Sequence, residues 1–412
     1  MYSRIIQDEL SKKFKKPYVH ILFGARQTGK STIVKSLLDK DSLVIDLSNP
    51  TESTRYLTRP QSLVEECNAI PKRKEPYSVF IDEVQTVPSL FDAVQHLYDK
   101  DKNRFRFILC GSSARKLRTS SANLLPGRCL LYHLYPLVME EHPSKNEFPL
   151  SSTFPLKMVF PSISNLCRFP AWDLAARLTY GSLPGIVTAE EELRSQLLKS
   201  YYAVYVEEEV RREVMLRDLS NFARFVRFSA IESGNILNYS SISQETGVSV
   251  MTIKSYYQIL EDMFIGFSVP AFTGSPRKNL LSTSKFFYFD IGVRNAAAGL
   301  KIIPEEILAS PGSIFEQWVG IELWKRLKYL GEGSLSHFRT KDGAEIDFII
   351  EHGGKLVPVE VKWTENPSAR DARHIVRFIG EQKDSSEGYV VCRCPRPMKL
   401  TDNVTAIPWH CL

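Results

Sequence analysis

The stretch YVHILFGARQTGKSTIVKSLL, residues 18–38, leaves a chain that contains it little conformational freedom. A β-rich apolar run ends in glycine, a loop with glycines at 24 and 29 follows, and a segment of helical periodicity begins at Lys30. The loop GARQTGKST fits G-x-x-x-x-G-K-[ST] at every fixed position and lies between strand and helix, the context that motif requires. In such a loop the backbone N–H groups turn inward and can surround phosphate oxygens. The helix that follows presents the positive end of its dipole to the same point. A strand, a helix and an anion cradle between them are therefore predicted together.

The pattern repeats downstream. SLVIDLS, YSVFIDEV, FRFILCGSS and CLLYHLYPL read as further strands, separated by the helical segments SLVEECNAI and SLFDAVQHLYDK. Regular alternation implies crossover units and a parallel sheet, and strands this uniformly apolar are buried on both faces. Residues 142–170 are rich in Pro and Ser and keep no period. Residues 171–270 read as mostly helical, and 285–412 return to mixed strands and helices. With 412 residues, 43% of them hydrophobic, the chain has room for two or three domains. The expected division is 1–142, an irregular linker or insertion at 143–170, a helical region at 171–275, and an α/β domain at 276–412.

Charge and cysteine content exclude some classes. The net charge of +6 permits nucleic-acid binding but does not argue for it, because a dedicated binder concentrates its charge in a stripe. The seven cysteines are scattered and form neither a zinc ribbon nor a disulfide framework. No apolar run approaches the ~18 residues of a membrane helix, and the N-terminus lacks a signal-peptide core. A soluble, cytoplasmic protein with no membrane partner is expected.

The cradle spans Gly24, Ala25, Arg26, Gln27, Thr28, Gly29, Lys30, Ser31 and Thr32. In phosphoryl-transfer sites of this type the lysine, here Lys30, reaches the β- and γ-phosphates, and the hydroxyl, here Ser31, ligates Mg²⁺. VFIDE ends a strand in two acids: Asp82 is placed to hold the Mg²⁺ shell and Glu83 to accept a proton from attacking water. Ser112 or Ser113 could sense the γ-phosphate or orient the water, or equally cap a helix. Arg128, just before the fifth strand, could stabilise transition-state charge in its own chain or in a neighbouring one, or sit in a surface salt bridge.

GARQTGKST, VFIDEVQ, LCGSS and LPGR together resemble AAA-type P-loop ATPases of bacteria and archaea, in the branch fused to an uncharacterised C-terminal domain. GSLPGIV, the segment from Tyr205 to Phe228 and FFYFDIGVRNA extend the resemblance over most of the chain. It implies ATP and Mg²⁺ as cofactors and a sheet with strand one between strands four and five. The chain departs from the family in GSLPG, where two glycines and an acid are more usual, and in its longer Pro-rich stretch.

SSISQETGVSVMTIKSYYQILEDMFIGFSV, residues 240–269, reads as helix, turn, helix and strand, with Gly247 at the turn and Ser249 as a cap. This is a winged-helix pattern, and the resemblance agrees. DNA recognition would use the second helix, but that helix offers only Lys254 as a strong base and closes on Glu261 and Asp262. The upstream VEEEVRREV reads as a solvated mixed-charge face.

In GAEIDFIIEHGGKLVPVEVKW, Asp347, Glu360 and Lys362 interrupt two apolar strands. Alternation puts Glu360 and Lys362 on one face, and the Gly353–Gly354 turn can bring Asp347 to them. Glu316, in the helix SIFEQWVGIELW, is a candidate fourth acid. The trio resembles the PD-(D/E)xK nuclease signature, which implies a restriction-endonuclease-like domain holding a second Mg²⁺ or Mn²⁺, with Lys362 assisting water. Solvated or salt-bridged strand residues give the same letters. Two outputs follow: an ATP-gated DNA nuclease, or a nucleotide-controlled switch that binds a protein partner or DNA through an inactive domain. A homo-oligomer, a ring or dimer, is required if Arg128 acts in trans.

Overall fold

The computed structural model describes residues 2–113, 127–145, 167–207, 219–274, 283–340 and 342–412. Most of the Pro-rich stretch and most of VEEEVRREV lie outside these residues. The chain is α/β, with a parallel N-terminal sheet, a helical middle and a mixed C-terminal sheet.

Five strands build the first sheet: β1 (Val19–Phe23), β2 (Leu43–Asp46), β3 (Tyr77–Asp82), β4 (Phe105–Gly111) and β5 (Cys129–His133). Their order is β2-β3-β4-β1-β5 and every pairing is parallel. Strand one therefore lies between four and five. All of β1 is buried, as an interior strand covered on both faces must be. One face packs Ile21, Ile81 and Leu109 against the helix Leu90–Lys100. The other packs Leu22, Phe80 and Ile108 against the helices Gln7–Lys13 and Lys30–Leu37. A helix at Pro50–Thr58, which the apolar pattern does not announce, starts at Asn49, whose side chain accepts from Thr51 N–H, with Pro50 in the first turn.

The middle region packs helices Glu191–Tyr201, Leu219–Ile231 and Val250–Asp262 around Phe225, Tyr256 and Tyr257. The turn between Tyr239–Thr246 and Val250–Asp262 has Gly247 at φ 70°, and Ser249 caps the second helix by accepting from Thr252 N–H. The following strand β6 (Gly266–Pro270) pairs antiparallel with β7 (Ser284–Tyr288). That pairing straddles the expected boundary at 275/276. Phe286, Tyr288, Val293 and Ile302 belong to the middle core, whereas Phe267, Val269, Phe287 and Ile291 pack into the C-terminal one, so this segment joins the two.

The last sheet contains β8 (Ser334–Arg339), β9 (Glu345–His352), β10 (Lys355–Val361), β11 (Gly388–Cys392), β12 (Met398–Thr401) and β13 (Val404–Pro408), ordered β12-β13-β11-β10-β9-β8. The 20-residue helix Pro311–Leu330 packs Phe315, Val319 and Leu323 against Phe348, Val359 and Val391. No described helix is long and apolar enough to cross a membrane.

Candidate functional site

The loop after β1 turns sharply. Gly24 cannot carry a side chain, because a Cβ there would stand 2.3 Å from the Leu134 carbonyl oxygen. Gln27 at φ 60° and Gly29 at φ 94° curl the backbone into the helix Lys30–Leu37, and Thr28 Oγ1 donates to the Ala25 carbonyl at 2.9 Å. Lys30 is 5% exposed, and its ammonium donates to the carbonyls of Gly24 (2.8 Å) and Ala25 (2.9 Å). Burial lowers its pKa, against the pull of Glu83 and Asp82.

Parallel pairing brings the carboxyl ends of β1, β2, β3 and β4 to the same edge, which is where open α/β sheets bind ligands. Asp82 ends β3 beside Asp46 of β2. Burial raises its carboxyl and a hydrogen bond from Ser31 draws it part of the way back. Glu83 leaves the strand at φ 54°, a conformation uncommon for a residue with a side chain and often found at working sites. Its Oε2 accepts from Ser112 Oγ at 2.9 Å and from Gln85 Nε2 at 2.5 Å. Gln85 Nε2 also donates to Ser112 Oγ at 3.0 Å, closing a triangle. Gly111 makes room for it, since a Cβ there would meet Gln85 Oε1 at 3.0 Å and the Phe23 ring at 3.2 Å. Gln85 lies in VFIDEVQ and was open to inference from the triangle of chemistry it serves; Ser112 sits with the acid, and the helix-cap alternative falls on residues after Ser113 that lie outside the described ones.

Arg128 is placed otherwise than a role in its own chain's site requires. β1 and β5 run parallel with Val19 opposite Cys129, so Arg128 precedes β5 at the amino end of the sheet. The loop leaves the carboxyl end, four residues along at ~3.3 Å each, or about 13 Å away. Its guanidinium pairs with Asp99 at 2.7 Å, which is the surface-bridge alternative.

The N-terminal segment, silent in the sequence, organises the loop. Arg4 is 6% exposed and donates to the Thr28 carbonyl (2.6 Å), the Tyr135 carbonyl (2.7 Å) and Glu141 Oε1 (2.8 Å). Glu141 also accepts from the N–H groups of Ile5 (2.7 Å) and Val138 (3.1 Å). The adjacent Glu140 pairs with Arg326 at 3.0 Å, and Arg326 with Glu322 at 3.1 Å. Glu322 further binds Lys325 at 2.9 Å and accepts from Met139 N–H at 2.9 Å. A buried ionic joint thus ties the loop's own support to the helix Pro311–Leu330, whose Tyr329 hydroxyl accepts from Tyr135 N–H at 3.1 Å. Beside the loop lies a cavity of about 330 Å³ lined by Tyr2, Arg4, Gly29, Ile33, Phe169 and Pro184, with the Tyr2 and Phe169 rings stacked at 4.4 Å.

The GSLPG and FDIGVRN motifs turn out to lock one another. Asp290, wholly buried, accepts from Ser182 N–H (2.6 Å) and Val293 N–H (3.1 Å). A Cβ on Gly181 would lie 2.1 Å from its carboxylate. These residues position the 184–188 wall of the cavity and touch no chemistry themselves.

In the C-terminal domain Asp347, Glu360 and Lys362 do gather. Asp347 Oδ2 accepts from Val361 N–H at 2.7 Å, and Lys362 pairs with Glu360 at 2.6 Å. Burial raises the Asp347 carboxyl well above its ordinary value, with Glu316 and Glu360 adding to the rise. Glu316, however, pairs with Lys285 of β7 at 3.0 Å. Among the described residues no group of three or more His, Cys, Asp or Glu side chains is arranged to hold a metal ion. As arranged, the set does not fit the second Mg²⁺ or Mn²⁺. On the helix Val250–Asp262, Met251, Lys254, Ser255 and Gln258 are exposed, and Lys254 lies over the Tyr239 ring at 5.3 Å. One lysine is a poor basis for phosphate-driven DNA affinity.

Residues 16–142 match an AAA domain. Residues 171–302 and 311–412 match two domains of unknown function, DUF8612 and DUF4143. An uncharacterized protein of Haemophilus influenzae is 24% identical over 363 residues, covering 84% of this chain and 82% of the relative. An uncharacterized protein of Mycobacterium tuberculosis is 23% identical over 354 residues, covering 85% and 71%. Among solved structures, a signal transduction ATPase with numerous domains (STAND) from Pyrococcus horikoshii, with a tetratricopeptide repeat sensor, is 12% identical at a TM-score of 0.26. That alignment covers 81% of this chain and 48% of the other. A Vibrio cholerae protein is 11% identical at a TM-score of 0.18, covering 94% of each chain.

Proposed function

We propose that the chain binds and hydrolyses ATP and passes its nucleotide state to the C-terminal domain. The observation that carries this reading is the convergence of Lys30, Asp82, Glu83 and Ser112 on the carboxyl edge of one parallel sheet, beside an anion-binding loop. The triphosphate lies along the loop, and Lys30 exchanges its two carbonyl acceptors for β- and γ-phosphate oxygens. Asp82 and the Ser31 hydroxyl are the residues that would hold Mg²⁺, which supplies charge neutralisation across the phosphates. Glu83 takes the proton of a water whose oxygen attacks the γ-phosphorus as the bond to the β-phosphate bridging oxygen breaks. Ser112 and Gln85 fix the Glu83 carboxylate for that transfer. The adenine enters the cavity beside Ile33, Tyr2 and Phe169, whose apolar walls suit a base.

The output we favour is the nucleotide-controlled switch. Lysines already pair with Glu316 and Glu360 of the C-terminal cluster, and a buried ionic joint links that domain to the loop. Calorimetric titration of ATP into wild type and Lys30→Ala tests the reading: the variant is expected to lose binding at least a hundredfold with its unfolding midpoint unchanged. Equal affinity in the two proteins would sink it.

A further inference from the structure

Lys285 belongs to no motif, yet it has the most demanding environment of any lysine near the C-terminal carboxylates. It is 4% exposed, and lysine is almost never fully buried unless paired. Its ammonium lies 3.0 Å from Glu316 Oε1 and 3.3 Å from Glu345 Oε1. The strand register explains why a cation is needed. β9 and β10 pair with Phe348 opposite Val359, so one further step sets Asp347 opposite Glu360. Like charges directly opposite destabilise a sheet, and here both side chains are more than nine-tenths buried. Glu345 shares their face by alternation. Four carboxylates (Glu316, Glu345, Asp347 and Glu360) thus meet two ammonium groups (Lys285 and Lys362).

Lys362 donates to Glu360 Oε1 and is partly exposed. Glu360 Oε2 is buried and, among the described residues, has no hydrogen-bond partner. The cluster therefore keeps an acceptor for a further cation, while Lys285 holds Glu316 away from that use. The ammonium on Glu316 Oε1 competes with a divalent ion for that oxygen, and two cations brought to one cluster repel.

We propose that Lys285 is a built-in counter-ion occupying the cation position of this carboxylate cluster, and that a divalent metal binds there only when Lys285 leaves Glu316. The inference stands apart from the ATPase reading, because it concerns residues 285–362 and no nucleotide. It makes the domain's metal affinity a property of β7, the strand on which Lys285 sits.

Mn²⁺ titration of the full chain without nucleotide, followed by electron paramagnetic resonance of the free ion, tests it. Wild type should show no site at micromolar Mn²⁺ that depends on Asp347. Lys285→Met should gain one, at least tenfold tighter, which Lys285→Met/Asp347→Asn loses. Removing a buried cation strains the fold, so Lys285→Met should also unfold earlier than wild type and recover several degrees in 1 mM Mn²⁺, whereas the wild-type midpoint should not respond. A micromolar wild-type site abolished by Asp347→Asn would overturn the proposal. So would a Lys285→Met protein that gains no site, or one that neither folds nor is rescued by Mn²⁺.

Discussion

Arg4→Met is the most informative perturbation of the loop's support. The substitution keeps the volume of the stem and removes the hydrogen bonds to Glu141, to the carbonyls of Thr28 and Tyr135 and to the Tyr329 hydroxyl. Glu141 stays buried with two backbone donors and no cation. Removing one partner of a buried pair costs about 3–5 kcal/mol. For a domain of this size each kcal/mol moves the midpoint by ~2–4 °C, so a fall of about 6–20 °C is expected. The Thr28 carbonyl lies inside the phosphate loop, and a hydrogen bond from a charged donor contributes ~1.5–3 kcal/mol. ATP affinity should accordingly weaken by about tenfold or more. Arg4→Lys should recover part of the stability and little of the affinity, because one ammonium cannot span a carboxylate and two carbonyls. Thermal unfolding with and without ATP, paired with calorimetric titration, measures both. An Arg4→Met midpoint within 2 °C of wild type, with unchanged ATP affinity, would refute the claim that this arginine organises the loop.

Arg128→Ala should leave ATP turnover within twofold of wild type at every protein concentration, since the side chain lies at the far edge of the sheet; a hundredfold loss that depends on concentration would restore a role in a neighbouring chain. Burial alone would raise the Glu322 carboxyl, but Lys325, Arg326 and the Met139 N–H outweigh it and hold the pKa at about 2, below the ordinary 4.5. A depressed folded pKa gives stability that is fully present above 4.5 and lost as pH falls toward 2. The difference in midpoint between wild type and Glu322→Gln should therefore shrink across that window. A constant difference would mean that the carboxylate is not ionised in the joint.

Local signals in the sequence were enough for the nucleotide half of the site. The loop, the strand-end acids and Ser112 sit in short motifs on strands whose apolar runs announce a parallel sheet, and their positions in chain order carry directly into space. Arg128 shows the limit of that reading. A residue just before a parallel strand lies at the amino edge, opposite the ligand, and the strand order already implied as much. Arg4 with Glu141, Glu140 with Arg326, and Lys285 with Glu316 were illegible for a different reason. Each is an ordinary charged letter whose partner is remote in the chain, 137 residues away for Arg4, and only tertiary packing decides that it is buried. Lys285 also shows why a strand signature overstates a metal site. Alternation brought Asp347, Glu360 and Lys362 together, but the counter-ion came from β7, a strand whose packing is shared between the middle and C-terminal cores.

ATP hydrolysis by Glu83→Gln tests the central claim most directly. The substitution keeps the size of the side chain and its contacts with Ser112 and Gln85 while removing the proton acceptor. General-base catalysis contributes ~10²–10⁴-fold. The account predicts that Glu83→Gln binds ATP as tightly as wild type in Mg²⁺ and turns it over at least a hundredfold more slowly. Undiminished turnover in that variant would contradict it.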